Sequence, residues 1–262
     1  MKWTQRIPGS FMVAKLDARA VETSNMKNAQ VCNIAYTPGE TLIRSELEKV
    51  IDDLADYVNL DLPSHIIHGF KGSGKTLSAP IMAKAPRDTK SVPYFYVNVR
   101  ENPTSTKIYR NIARLFGKGH EIEEVKNRYD EMLSSKSLVV LDKVDFLQDY
   151  DILYHITRRT KAILILLTQK VYWYKNMNDE SVKSSLQTDH IVFHEYSTEE
   201  IMKILKTRAK EGLNEYGREA LGLLYALLVR DYRSNARIGI KALEILGRSN
   251  KWSENSATTA LK

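Results

Sequence analysis

The period of the hydrophobic positions changes repeatedly along this chain, and each change marks an element. In "SELEKVIDDLADYV", Leu47, Val50, Ile51, Leu54 and Val58 recur at the spacing of one helical face, with Ser45 as the cap. "SHIIHGF", "YFYVNV", "SLVVLD", "AILILLT" and "HIVFHEY" are short apolar runs of strand length. Between them lie the helical patterns "TKIYRNIARLF", "IEEVKNRYDEML" and "DILYHITRRT". Continuously apolar strands alternating with helices predict an α/β fold, a parallel sheet sandwiched by helices. After Tyr196 the pattern is helical only. "STEEIMKIL" opens with a capping box, Ser197 with Glu200, and continues with Ile201, Ile204, Leu205 and Ala209 on one face. "EALGLLYALLV" is apolar nearly all round, as in a helix buried among neighbours. "SNARIGIKALEILG" sets Ala236, Ile240 and Leu243 at helical spacing, with Gly247 as its stop.

The expected organisation is an N-terminal extension over 1–35, an α/β domain over 36–195, a small all-α domain over 196–250 and a frayed tail over 251–262. A 262-residue chain with 43% hydrophobic residues can bury a sizeable core. Its net charge of +7 favours polyanionic partners without naming one. The longest apolar stretches are strand-sized and the start has no secretory pattern, so a cytoplasmic protein with no membrane partner is expected. A single cysteine, Cys32, excludes an internal disulfide framework and a cysteine-rich zinc site. His65, His68 and His120 lack metal-ligand spacing, and no Ser-His-Asp arrangement can be argued.

One stretch carries chemistry outright. "GFKGSGKT", Gly69 to Thr76, fits G-x-x-x-x-G-K-[ST] after a predicted strand and before a predicted helix, the context a P-loop requires. The cofactor-binding candidates there are Gly69, Lys71, Gly72, Ser73, Gly74, Lys75, Thr76 and Leu77. Glycines let backbone N–H groups turn toward phosphates, Lys75 reaches the terminal phosphates and the Thr76 hydroxyl can ligate Mg2+. The expected ligand is ATP or ADP with Mg2+. Asp142 ends "SLVVLD" and is expected to face that ion from the neighbouring strand, making Thr76 and Asp142 the metal candidates. Pro80, about one turn into the following helix, is expected to bend it or force a local repacking.

Further stretches resemble, in order, the origin-recognition and replication-initiator AAA+ family of archaea. "YTPGETLIRSELEKV" is similar to the family's segment ahead of the P-loop, and "YFYVNVRENPTSTKIYRNIARLFG" to its second strand and following helix. "VVLDKVDFL" with "DILYHITR" resembles its Leu-Asp-Glu-x-Asp strand and the helix beyond. "DESVKSSLQTDHIVFHEYSTEEIMKILKTRA" resembles the segment leading into the lid, and "SNARIGIKAL" the Gly-Asp-Ala-Arg start of the lid's sensor helix. The resemblance spans roughly residues 36–248 and implies a P-loop AAA+ sheet followed by a helical lid. It adds Arg44, Gln169 and Arg237 to the nucleotide-binding candidates, Arg237 matching the lid arginine that senses the terminal phosphate. Family members carry a winged-helix domain after the lid, and the expectation here is a chain that stops where that domain would begin.

The departures all fall on the hydrolytic side. Lys143 stands where the family has its catalytic Glu, Thr168-Gln169 where it has Ser-Asn, and Ser181 where it has the arginine offered to a neighbour's nucleotide. A lysine cannot take a proton from water at neutral pH unless its pKa is strongly depressed, and its charge attracts phosphate instead; the alternative is a solvent-facing charge. Asp145 is the candidate substitute catalytic base, or else a structural turn residue. For nucleic acid, the basic, aromatic-bearing segment Arg100 to Lys118 falls where the family inserts a DNA-contacting element, with Lys107, Tyr109, Arg110, Arg114, Phe116 and Lys118; the same residues could instead form the solvated face of a helix. The resemblance implies an ATP-binding switch with weak or absent hydrolysis that engages duplex DNA or other initiator AAA+ subunits. Two alternatives stay open: an active ATPase of clamp-loader or transposition-helper type, and a nucleotide-locked regulatory module without DNA binding.

Overall fold

A computed structural model describes residues 25–34, 36, 38, 42–57, 65–69, 71–90, 92–115, 119–186, 189–249 and 252–262. These form two compact units, one of Ile43–Glu195 and one of Tyr196–Lys262 with the described residues before 43. Among the described residues no helix is long and apolar enough to cross a membrane.

The first unit runs α1 (Ser45–Tyr57), β1 (His65–Gly69), α2 (Lys75–Lys90), β2 (Tyr94–Asn98), α3 (Ser105–Ala113), α4 (Ile122–Met132), β3 (Ser137–Asp142), α5 (Asp151–Arg159), β4 (Ala162–Thr168), α6 (Glu180–Ser185) and β5 (Asp189–Phe193). The strands form one parallel sheet in the order β2-β3-β4-β1-β5. Every residue of β3 is buried, and so is β4 from Ile163 onward, which is why both are apolar without alternation. Strand β5, at the edge, buries only Ile191 and Phe193 and so alternates. Val139, Leu141, Leu164 and Leu166 pack on one face with residues of α3, α4 and α5. Leu138, Val140, Ile163, Ile165 and Leu167 pack on the other with residues of α1 and α2.

One expectation needs correction in this unit. Strand β3 is not the neighbour of β1, because β4 lies between them, so Asp142 reaches the P-loop from two strands away. Sequence order cannot reveal such an intercalated strand. Helix α2 runs without interruption through Pro80. The Pro80 side chain is exposed, so the ring forces no repacking of the core.

The second unit comprises α7 (Thr198–Gly212), α8 (Arg218–Tyr232), α9 (Ala236–Ser249) and α10 (Glu254–Ala260). The Ser197–Glu200 capping box has both its hydrogen bonds. Residues 25–34 of the expected N-terminal extension are built into this unit. Met26 bridges Leu213, the Lys27 and Asn28 N–H groups donate to the Gly212 carbonyl, and Val31 and Cys32 lie in the helical core. The tail is likewise not frayed. Ser253 caps α10, Ala257 and Leu261 are buried, and the Tyr232 hydroxyl donates to the Leu261 carbonyl at 2.9 Å. At seven residues this helix is too short for periodicity to announce it. Nor does Gly247 stop α9, which continues to Ser249. Gly247 is small for a packing reason, since a Cβ there would collide with the side chains of Leu213 and Met26.

Candidate nucleotide site

The P-loop lies between β1 and α2, and its glycines have different tasks. At Gly69 a Cβ would strike the Phe193 carbonyl, so only glycine lets the ends of β1 and β5 approach this closely. Gly72 and Gly74 have φ of 94° and 89°, left-handed values that turn the loop back on itself. Lys75 is the first residue of α2 and is buried, its Nζ donating to the Gly69 carbonyl at 2.6 Å and to Ser73 Oγ at 3.3 Å. The ammonium thus already sits inside the ring of loop backbone where phosphate oxygens would compete for it. Lys71 is exposed and Leu77 is half-buried.

Arg44 also fastens the P-loop in place. Its buried guanidinium donates to the carbonyls of Ser73 (3.2 Å) and His194 (3.0 Å), pairs with Glu46 (3.0 Å) and lies over the Phe193 ring. These bonds brace the P-loop backbone against the end of β5.

Asp142, buried at the end of β3, accepts the Thr76 hydroxyl at 2.9 Å. The same carboxylate oxygen accepts the Tyr96 hydroxyl from β2 at 2.8 Å. Burial, and then the Asp142 charge, push the Tyr96 phenol well above its usual pKa, so it stays a proton donor to the carboxylate. Tyr96 escaped the sequence reading, although "YFYVNV" alternates and so sets Tyr94 and Tyr96 on one face.

Lys143 follows in the left-handed region, φ 60° and ψ 46°. Its Nζ lies 3.4 Å from Asn98 Oδ1. Asn98 is the register partner of Asp142 across β2 and β3, and its amide nitrogen donates to the Glu101 carboxylate. An ammonium held through an asparagine therefore occupies the strand end where a base would be needed.

Asp145 accepts the Thr168 hydroxyl at 2.5 Å and the Gln169 and Lys170 N–H groups at 3.0 and 3.2 Å. That set closes the turns after β3 and β4. Gln169 is exposed, and its backbone serves this turn. Ser181 lies in the first turn of α6, its N–H capped by Asp179. Arg237 belongs to the helical unit, at the start of α9, its N–H donating to Asn235 Oδ1 at 3.1 Å.

The basic segment is only partly displayed. Lys107 is exposed on α3, Arg114 is exposed in a left-handed turn at its end, and Arg110 donates to the His120 carbonyl at 3.0 Å. Tyr109 is buried edge-on against Tyr129, so it offers no ring to a base. Phe116 and Lys118 lie outside the described residues. Among the described residues no group of three His, Cys, Asp or Glu side chains gathers as a metal cage. Thr76 and Asp142 instead fit an ion completed by phosphate oxygens and water, as Mg2+ prefers.

A P-loop after β1, an acidic end on a strand two places away and the order β2-β3-β4-β1-β5 define a P-loop AAA+ protein. No family model matches the chain. Among curated proteins it is 30% identical over 224 residues to ORC1-type DNA replication protein 1 of Sulfolobus acidocaldarius, a match covering 77% of this chain and 56% of that protein. It is also 30% identical over 250 residues to the ORC1-type DNA replication protein of Desulfurococcus amylolyticus, covering 84% and 62%. Among solved structures, the Aeropyrum pernix ORC1 protein in complex with DNA superposes with a TM-score of 0.71 at 26% identity, covering 90% of this chain and 69% of that one. In sequence and in fold the chain is similar to the archaeal ORC1-type DNA replication proteins. It spans 56% to 62% of the length of these two curated relatives.

Proposed function

We propose that this protein binds ATP with Mg2+, hydrolyses it slowly or not at all, and serves as a nucleotide-dependent switch for duplex DNA or for other initiator subunits. The observation that carries this reading is Lys143, a cation held by Asn98 at the end of the strand that supplies Asp142. The parts that bind phosphate are intact: the left-handed Gly72 and Gly74, the buried Lys75, and the Thr76–Asp142 pair. The bound ion would neutralise phosphate charge, with Thr76 and Asp142 as the groups holding it. At the end of β3 the position next to Asp142, where a base would be needed, carries Lys143. Lys143 is cationic, and Asp145 is tied into a turn by the Thr168 hydroxyl and two backbone N–H groups.

The DNA part of the proposal is supported by the relatives, which are ORC1-type DNA replication proteins, and by the Aeropyrum pernix ORC1 protein, which was solved with DNA. Lys107, Arg110 and Arg114, with Lys118, are the residues proposed to meet duplex phosphates.

Phosphate release and nucleotide retention by purified protein with Mg2+ and ATP test this reading. The expected result is bound ATP with little release, and loss of binding in Lys75→Ala. Turnover at the rate of an active motor, abolished by Lys75→Ala, would overturn it in favour of a working ATPase. Retained nucleotide without salt-sensitive duplex binding would favour a regulatory module that contacts only proteins.

A further inference from the structure

The turns that follow β2, β3 and β4 sit side by side at one edge of the sheet and are fastened together. The Arg100 guanidinium lies over the Phe146 ring, 5.4 Å from its centre, which joins the first turn to the second. Asp145 joins the second to the third through Thr168, Gln169 and Lys170, and Tyr150 packs edge-on against the buried Trp173. On this braced rim Phe146 is 46% exposed, Val171 43% and Tyr172 63%. Lys175 lies 4.7 Å from the Tyr172 ring centre, and Lys170 is exposed beside it. Of the nearby carboxylates, Asp145 is tied into the turn, Asp149 accepts from Ser105, and Glu101, next to Arg100, accepts from the Asn98 amide. The rim therefore presents exposed rings, each with a cation over it.

We propose that this rim binds single-stranded nucleic acid. Bases would stack on Phe146 and Tyr172, and phosphates would pair with Arg100, Lys170 and Lys175. A nucleic-acid strand alternates flat apolar faces with fixed anions, and the rim alternates rings with cations in the same way. An acidic peptide would use the cations and leave the rings bare. A duplex keeps its base faces stacked inside, out of reach of side chains standing on turns. Arg100 opens the basic segment whose α3 residues are proposed above to meet duplex phosphates, whereas Phe146, Lys170, Tyr172 and Lys175 lie outside that segment on the turns after β3 and β4.

The test is fluorescence anisotropy of a labelled oligothymidylate titrated with nucleotide-free protein at low and at raised salt. A second titration uses Phe146→Ala/Tyr172→Ala, whose circular dichroism and ATP binding report that the fold is kept. The expected result is salt-sensitive binding that falls about tenfold or more in the double variant, the scale of losing stacked bases. Binding should fall again in Lys175→Gln, while affinity for a duplex of equal length is unchanged by the double variant. No binding at low salt, equal binding by the folded double variant, or a rim that proves to be covered by a protein partner or a second copy would each overturn the proposal.

Discussion

One side chain decides more about this site than any other. Lys143 adopts a left-handed backbone that costs a non-glycine residue about 1–2 kcal/mol, and it does so beside the residue best placed to meet Mg2+. If the missing base is what stalls hydrolysis, Lys143→Glu should raise phosphate release on the order of tenfold or more, since a positioned general base is worth about 10²–10⁴-fold. Lys75→Ala sets the zero of that measurement, and no rise would put the barrier elsewhere, at Gln169 first. A second residue-scale prediction concerns pH. His68 is buried at the end of β1, and burial, then the His190, Lys75 and His194 charges, hold its pKa below the usual 6.5. His190 is lowered too, mainly by burial. The unfolded chain therefore takes up protons first. Stability is kept above about pH 6.5 and is lost as pH falls from there toward the depressed values. Denaturant midpoints at pH 7.5 and 5.5 should differ, and His68→Asn should shrink the difference. Lys75, Thr76 and Asp142 were legible in the sequence because a local motif names them. Tyr96, Asn98 and Glu101 were not, because their importance comes from the pairing of Asn98 with Asp142, which is a matter of strand register.

Single elements carry their own conflicts. The turn between α8 and α9 holds two consecutive left-handed residues, Arg233 at φ 50° and Ser234 at φ 51°. The resembling family has glycine before its Asp-Ala-Arg at that place, whereas Ser234 is buried and bears a Cβ. Ser234→Gly should relieve the left-handed strain and give back part of it as unfolded-chain entropy, a net gain of about 0.5–1 kcal/mol read from the urea midpoint. Arg208 on α7 is the opposite case, a fully buried cation whose guanidinium donates to the carbonyls of Val31, Asn33 and Tyr36. Arg208→Met keeps the length and removes every donor. It should destabilise the helical unit by roughly 2–4 kcal/mol and speed hydrogen exchange over residues 25–36. The position was half legible. Arg208 lies three residues beyond Leu205 on the apolar face, but a charge reads as outward-facing until the chain that supplies its carbonyl partners is known.

At the scale of the whole molecule, the chain builds separate cores from segments that are not contiguous. One core draws on residues from Val31 to Cys32 and from Ile201 to Leu261, while the sheet's two faces draw only on residues between Leu47 and Phe193. The alternation of strands and helices was readable because burial on both faces writes itself into continuous apolar runs. Strand order was not readable, because nothing in "AILILLT" says that it lies between β1 and β3. Where the cores divide has a thermodynamic consequence, because a ligand stabilises the structure that holds its binding groups. The P-loop and Asp142 both belong to the unit Ile43–Glu195. Mg2+–ATP at about a hundred times its Kd should therefore add about 2.7 kcal/mol to the stability of that unit. Thermal unfolding with and without Mg2+–ATP measures the gain, and hydrogen exchange locates it, with protection expected at Gly69–Leu77 and at Asp142–Lys143. Lys75→Ala should erase both signals. A stabilisation that survives Lys75→Ala, or protection that misses the P-loop, would mean that the nucleotide sits somewhere other than the loop built to receive it.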